Sequence, residues 1–361
     1  MATYNDRLGP TLWSVSDGRA GNVAQASALI QALSQTRRWI QLAHIAGTGD
    51  RDGPLNLSPR APWTWLPASM WRLSRWSVPA VQRRSLQPPW PSLWIAAGRR
   101  SAPFTRDVRR WSAGETFTVQ ILDPKMDPSL FDLVVVPDHD GLRGENVIRT
   151  LGSPSFFSEE AIEEAGQTFV ELSDEPKQSA IVILGGHSRI HRFTQTDQDH
   201  LMAQLDQLTK GGWRLRITTS RRTPLDVVAQ MRAFADRTGA KFWSGPHDGP
   251  NPYLGWLLYS SVAIVTEDSA NMLSDAAWHG LPIHMARLSG SSRKFDHFHE
   301  SLIARGCARW FEGSLSHWDY TPLREAERVA DRITAELLTR YPQPDLPQAQ
   351  DKTAPPDWML D

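Results

Sequence analysis

Short apolar runs alternate along the chain with longer stretches in which apolar residues recur every three or four positions. That is the pattern of a parallel sheet covered by helices on both faces, and it predicts an α/β protein. In the first half, residues 12–15, 39–42, 93–97, 117–122 and 133–137 read as strands, and Ala26, Leu29, Ile30 and Leu33 mark the buried face of a helix over 23–34. Each strand meets a loop rich in Gly, Asp or Arg at its carboxyl end. An acidic, Pro-containing stretch, 172–177, reads as a linker, and a second series follows it. Strands are expected at 180–184, 214–218, 240–243, 262–265 and 282–285, with helices at 197–210, 224–238, 252–259 and 270–279 between them. Residues 323–341 read as a long terminal helix, and 342–361, rich in Pro and Gln, as a disordered tail.

Length agrees with this division. A chain of 361 residues with 40% hydrophobic content is long enough for two domains with separate cores, here 1–171 and 178–322. One cysteine, Cys307, excludes an internal disulfide and reads as a small core residue. Residues 1–10 show no basic start followed by an apolar run, so the default compartment is a reducing cytoplasm. The net charge of −1 argues against a global nucleic-acid binder, and no stretch of about 18 apolar residues offers a membrane span.

The balance hides a local asymmetry. Residues 53–106 hold eight arginines and no acid, whereas 107–186 hold fifteen acids against six Lys and Arg. The basic stretch also carries six of the sixteen tryptophans, among them Trp71 and Trp76 beside Arg72 and Arg75. Arg with Trp is the composition of a surface that touches anionic lipid headgroups. The plainer reading is a Pro-rich excursion whose tryptophans pack on their own domain.

In open parallel sheets, ligands bind at the carboxyl ends of the strands, so the loops there are where chemistry is expected. Asp17-Gly18-Arg19-Ala20-Gly21-Asn22 follows the first strand, with Gln25 one turn on, and lacks the G-x-G-x-x-G spacing of a dinucleotide site. Gly98-Arg99-Arg100-Ser101 follows another, with Ser101 placed to cap the helix that Pro103 opens. Gly185-Gly186-His187-Ser188-Arg189 and Ser220-Arg221-Arg222-Thr223-Pro224 close two successive strands of the second half. Both combine backbone N–H groups, hydroxyls and guanidinium, the mixture that holds a diphosphate without a metal. The segment from Thr266 to Pro282 reads as strand end, capped helix, glycine stop and next strand, with Ser269 as the cap. Glu267 and Asp268 would repel a phosphate there if both pointed the same way, so one is expected to point elsewhere. Asn271 and Met272 lie in the first turn, and Asp275, two turns in, suits sugar hydroxyls or plain solvent. Arg293 and Lys294 add two cations before His297 and His299. Those two histidines would lie on different helix faces, and no His pair has a zinc-site spacing, so no metal is expected.

Together these motifs, ending with Ser292-Arg293-Lys294-Phe295, resemble the mitochondrial-fission Elm family across about 12–341. That family is similar to the GT-B glycosyltransferases, in which two Rossmann-like domains face each other across a cleft. The resemblance implies a nucleotide-diphosphate sugar held by Gly185, Gly186, Ser188, Arg189, Ser220, Arg221, Arg222, Glu267, Ser269, Asn271, Met272, Asp275, Arg293 and Lys294. In that superfamily an acid five residues before Gly-x-Pro binds the ribose, and Asp275 stands there with Asp in place of the usual Glu. Gly18, Gly21, Asn22, Gln25, Gly98, Arg99 and Arg100 would face the acceptor, with Asp17 as the general base. The acceptor is then lipid-linked or part of the cell envelope, and the chain peripheral on the inner membrane face, touching it through Trp71, Arg72, Arg75 and Trp76. Nucleotide-sugar epimerisation uses the same donor site. The other function implied is a non-catalytic scaffold recruiting partners at a membrane.

Overall fold

A computed structural model describes residues 11–36, 55–175 and 178–340. It contains two six-stranded parallel sheets. The first is built from β1 (Leu12–Ser16), β2 (Leu55–Asn56), β3 (Leu93–Ala97), β4 (Phe117–Ile121), β5 (Leu133–Pro137) and β6 (Val147–Thr150), in the order β2-β1-β3-β4-β5-β6. The second uses β7 (Ser179–Leu184), β8 (Arg214–Thr219), β9 (Lys241–Trp243), β10 (Val262–Thr266), β11 (Ile283–Ala286) and β12 (Ala308–Trp310), in the order β12-β11-β10-β7-β8-β9. Strand order reverses between β1 and β3 in one sheet and between β7 and β10 in the other, and at such a switch point the loops diverge and leave a crevice.

Apolar burial on both faces of each sheet explains why the central strands read so plainly. Strands β3, β4, β5 and β7 are buried at every position. Helix α1 (Ala20–Gln35) lays Ala26, Leu29 and Leu33 on one face of the first sheet. The other face is covered by the basic, tryptophan-rich excursion, which adds the short helix α2 (Ala80–Ser85), and by α3 (Ala102–Trp111). In the second lobe α5 (Gln195–Lys210) and α6 (Leu225–Thr238) cover one face, and α7 (Tyr253–Tyr259), α8 (Ala270–His279) and α9 (Arg293–Ala304) the other.

The chain crosses between lobes twice. After β6, α4 (Glu159–Thr168) packs against α7, with the Tyr259 hydroxyl donating to the Gly166 carbonyl at 2.9 Å. Helix α10 (Glu325–Arg340) then returns to the first lobe, burying Ala326, Val329, Ala330, Ile333 and Leu337 beside α1. The GT-B arrangement expected from the resemblance is therefore present. The expected strand 39–42 and the tail 342–361 lie outside the described residues.

The tryptophans divide rather than choose one of the two expected roles. Trp71 and Trp94 are fully buried and Trp63 and Trp90 pack on the same cluster, whereas Trp65 and Trp76 are exposed. Trp71, expected to touch a membrane, is instead held edge-on to Phe104 at 6.4 Å within the core. The short 3-10 turns of this excursion carry no regular period from which the inward and outward rings could be told apart.

Candidate functional site

At the switch point of the second sheet, three loops are locked by one buried carboxylate. Asp268, whose side chain is fully buried, accepts from the Gly186 amide at 3.0 Å and from the Thr266 hydroxyl at 2.8 Å, and pairs with the Arg222 guanidinium at 2.9 Å. The Gly185 amide donates to the Thr266 hydroxyl at 2.7 Å, and the Thr223 hydroxyl to the Leu184 carbonyl at 2.9 Å. The ends of β7, β8 and β10 thus form one rigid floor. Its neighbour Glu267 points the other way: the Leu288 amide donates to it at 2.6 Å and His299 lies 3.7 Å away. Burial raises the Glu267 pKa. The divergence of the two acids matches what the sequence required, with Asp268 facing the floor and Glu267 the adjoining loop.

The remaining loop groups sit around this floor. Ser188 turns its hydroxyl on its own loop, accepting from the Ile190 and His191 amides at 3.1 and 2.9 Å. Ser220 closes its loop by accepting from the Arg222 amide at 3.2 Å. Arg189, Arg221 and Arg293 are exposed and make no ion pair among the described residues. Lys294 is bound instead to Asp140 of the first lobe. Ser269 is the N-cap residue of α8 but its hydroxyl makes no capping bond, which differs from the sequence reading. Ser101 likewise donates to the Gly98 carbonyl at 2.6 Å rather than capping α3.

The switch point of the first sheet holds Asp17, and the helix that follows it, α1, meets the start of α8 where Gly21 lies against Asn271. The Asp17 side chain, 4% exposed, accepts from Asn22 Nδ2 at 2.7 Å and from the Arg19 amide at 3.2 Å, with Arg19 Nε 3.5 Å from the other oxygen. Gly98, at a φ of +100°, comes so close that a Cβ there would lie 2.4 Å from Asn22 Nδ2. Gly18 turns the chain between β1 and α1, at a φ of +77°, and Arg99 and Arg100 are exposed.

The two lobes meet along one face of α8. Asn271, Ser274, Asp275 and Trp278 fall at i, i+3, i+4 and i+7, and all four contact the first lobe or the segment leaving it. Gln25 donates to Asn271 at 3.2 Å, and Gly21 lies against the same side chain. The Ser153 amide donates to the Ser274 hydroxyl at 2.9 Å, and Phe156 and Phe157 pack on Trp278. Met272 packs on the apolar core beneath. Asp275 accepts from the Ser155 hydroxyl at 2.7 Å and from the Tyr253 hydroxyl at 3.0 Å. Ser155 and Tyr253 had no sequence signal, since one lies 120 residues from Asp275 in a plain loop.

Burial lifts the Asp275 carboxyl to about 6, against the two donated hydrogen bonds. A folded-state pKa above the unfolded one means that the native state holds the extra proton between about pH 4 and 6. This group's contribution to stability is therefore present at low pH and lost as pH rises through 6. His139 and His279, both held near 4 first by burial, contribute with the opposite sign over nearly the same window. Thermal melts of wild type and Asp275→Asn across pH 4–7 separate them: the stability difference between the two proteins should shift in favour of the variant as pH rises. A pH-independent difference would remove the buried carboxyl from this account.

Among the described residues no three His, Cys, Asp or Glu side chains come together as a metal site, and no helix is long and apolar enough to cross a membrane. Burial pushes Cys307 up to about 12, as suits a core thiol.

Comparison with solved structures finds distant likenesses. One is the UDP-GlcNAc 2-epimerase of Methanocaldococcus jannaschii in complex with UDP-GlcNAc and UDP, at 9% identity over 90% of this chain and 99% of that one, TM-score 0.48. Another is MurG of Acinetobacter baumannii, at 14% identity over 92% of each, TM-score 0.45. In sequence, the chain is 26% identical to the mitochondrial fission protein ELM1 of Arabidopsis thaliana, over 72% of this chain and 67% of that one. It is 25% identical to an uncharacterized protein of Rickettsia prowazekii (strain Madrid E), over 90% and 98%. Residues 20–337 match the family described as mitochondrial fission ELM1, and the chain belongs to that family.

Proposed function

We propose that this protein binds a nucleotide-diphosphate sugar in the cleft and transfers its glycosyl group to an acceptor hydroxyl. The observation that carries the reading is the convergence, at adjacent strand ends, of the β7 and β8 loops and the uncapped amino end of α8. Amides at a helix start carry partial positive charge and favour a phosphate, and Arg189, Arg221 and Arg293 are the expected donor cations left to meet it. Arg222 is already committed to Asp268 and Lys294 to Asp140. In the transfer, the acceptor oxygen bonds to the anomeric carbon as the bond to the diphosphate breaks. The hydroxyl proton passes to Asp17, and the arginines and helix amides offset the charge on the departing diphosphate, with no metal required.

Titration with UDP, GDP, CMP and their sugars tests the donor site. One of them should raise the melting temperature, the stabilisation reaching about 2.7 kcal/mol at a hundred times its Kd. Arg221→Ala should weaken that response without changing the melting temperature of the free protein. A flat response across the panel would sink the reading and leave the scaffold alternative, which the polar seam along α8 favours by fixing the lobes to each other.

A further inference from the structure

We propose that the surface carried by residues 65–84 seats the protein on an anionic lipid bilayer. Among the described residues ten large hydrophobic side chains are exposed, and six of them, Trp65, Leu66, Met70, Leu73, Trp76 and Val81, fall within seventeen consecutive positions. Apolar side chains scattered singly over a surface need no explanation, whereas a cluster marks a contact surface. The chemistry around the cluster selects the occupant. Arg72 and Arg84 are exposed beside it, the Arg83 guanidinium lies 4.6 Å over the Trp76 ring, and the whole 53–106 stretch carries no acid. Tryptophan with arginine and no carboxylate suits the boundary between acyl chains and anionic headgroups.

The platform beneath is fixed. Trp71, Ser74, Ser77 and Val78 are buried between the exposed residues. The Ser74 hydroxyl donates to Asp107 at 2.6 Å, and Arg106 donates to the Trp71 carbonyl at 2.5 Å. Exposed side chains on such a platform meet a surface at little further cost in ordering. Next to it, Arg106, Arg109, Arg110 and Arg340 line a cavity of about 380 Å³ whose carboxylates, Asp107 and the adjoining Asp132, leave the arginines in excess. The positive field therefore extends beyond the apolar cluster.

Sedimentation of the full chain with vesicles of phosphatidylglycerol and phosphatidylcholine, against phosphatidylcholine alone, tests this. Binding should require the anionic lipid, weaken as salt rises, and fall by about a hundredfold in a Trp65→Ser, Met70→Ser, Leu73→Ser, Trp76→Ser variant whose melting temperature is unchanged. Equal recovery in the supernatant with and without anionic vesicles would overturn the proposal. So would a concentration-dependent dimer abolished by the same substitutions without vesicle binding, which would assign the surface to a second copy of the chain.

Discussion

Replacing Asp17 by asparagine is expected to slow glycosyl transfer by about a hundred- to ten-thousand-fold while leaving donor-induced stabilisation intact. The expectation rests on where β1 delivers this residue. It stands at the switch point of the first sheet, in a turn made by Gly18 that leads into α1, whose Gly21 lies against Asn271 at the start of α8. Asn22 and the Arg19 amide both donate to one carboxylate oxygen, which fixes the rotamer. Among the described residues the other oxygen meets only the more distant Arg19 Nε at 3.5 Å, on a side chain that is 64% exposed and free to swing away when an acceptor enters. Asparagine keeps the size and one acceptor oxygen but cannot take a proton, so the loss isolates the base role from the positioning role. A factor of a hundred to ten thousand is about 2.7–5.5 kcal/mol of barrier, far more than one misplaced hydrogen bond to Asn22 explains. The assay uses whichever sugar nucleotide gives the largest thermal response. Turnover within about threefold of wild type would take Asp17 out of the chemistry, whatever the donor site does.

Central strands were legible because they are buried on both faces, which forces a continuous apolar run; β3 and β5 fall at the residues the pattern marks. The edges were not. Strand β6 exposes Arg149, β12 exposes Arg309, and β2 is two residues long, so none shows a run that separates it from loop. The same contrast holds for the site. Gly185-Gly186 and the Ser220–Thr223 loop announce themselves because glycine and hydroxyl residues at strand ends have few other uses. Asp275 announces itself only as an acid on a helix. That its partners are Ser155 and Tyr253 depends on how two lobes close, and no local pattern encodes a contact made across that distance. Asn271 and Asp275 read in sequence as donor ligands, with plain solvent the other reading for Asp275, yet both side chains lie in the seam between lobes. Arg222 and Lys294 read as phosphate ligands because their acidic partners, Asp268 and Asp140, are brought to them by the fold.

Asp268→Ala is expected to lower stability by roughly 2–4 kcal/mol and donor affinity by at least about tenfold. The alanine would leave the Gly186 amide and the Thr266 hydroxyl without their carboxylate, at about 1–3 kcal/mol for each buried group that finds no other partner. The Arg222 guanidinium is 43% exposed, so water takes over part of its charge and the broken ion pair adds less than a fully buried one would. The affinity loss follows from geometry. Gly185 and Gly186 tolerate no side chain, since a Cβ would lie 2.0 Å from Asp268 Oδ1 at the first and 1.9 Å from the Arg222 carbonyl at the second. The three loops are therefore packed to backbone contact around this one carboxylate, and their amides keep a common aim only while it is present. Removing Asp268 also releases Arg222, which could move onto the diphosphate and restore some charge. The affinity loss is expected despite that gain, because a freed guanidinium on a loosened loop must be ordered again at binding. Asp268→Asn, which keeps one acceptor and the packing, should fall between wild type and alanine in both measurements. Chemical denaturation and nucleotide titration of the three proteins decide the matter: an alanine variant as stable as wild type, with undiminished donor affinity, would mean that the loops hold their shape without Asp268 and that the floor is not one unit.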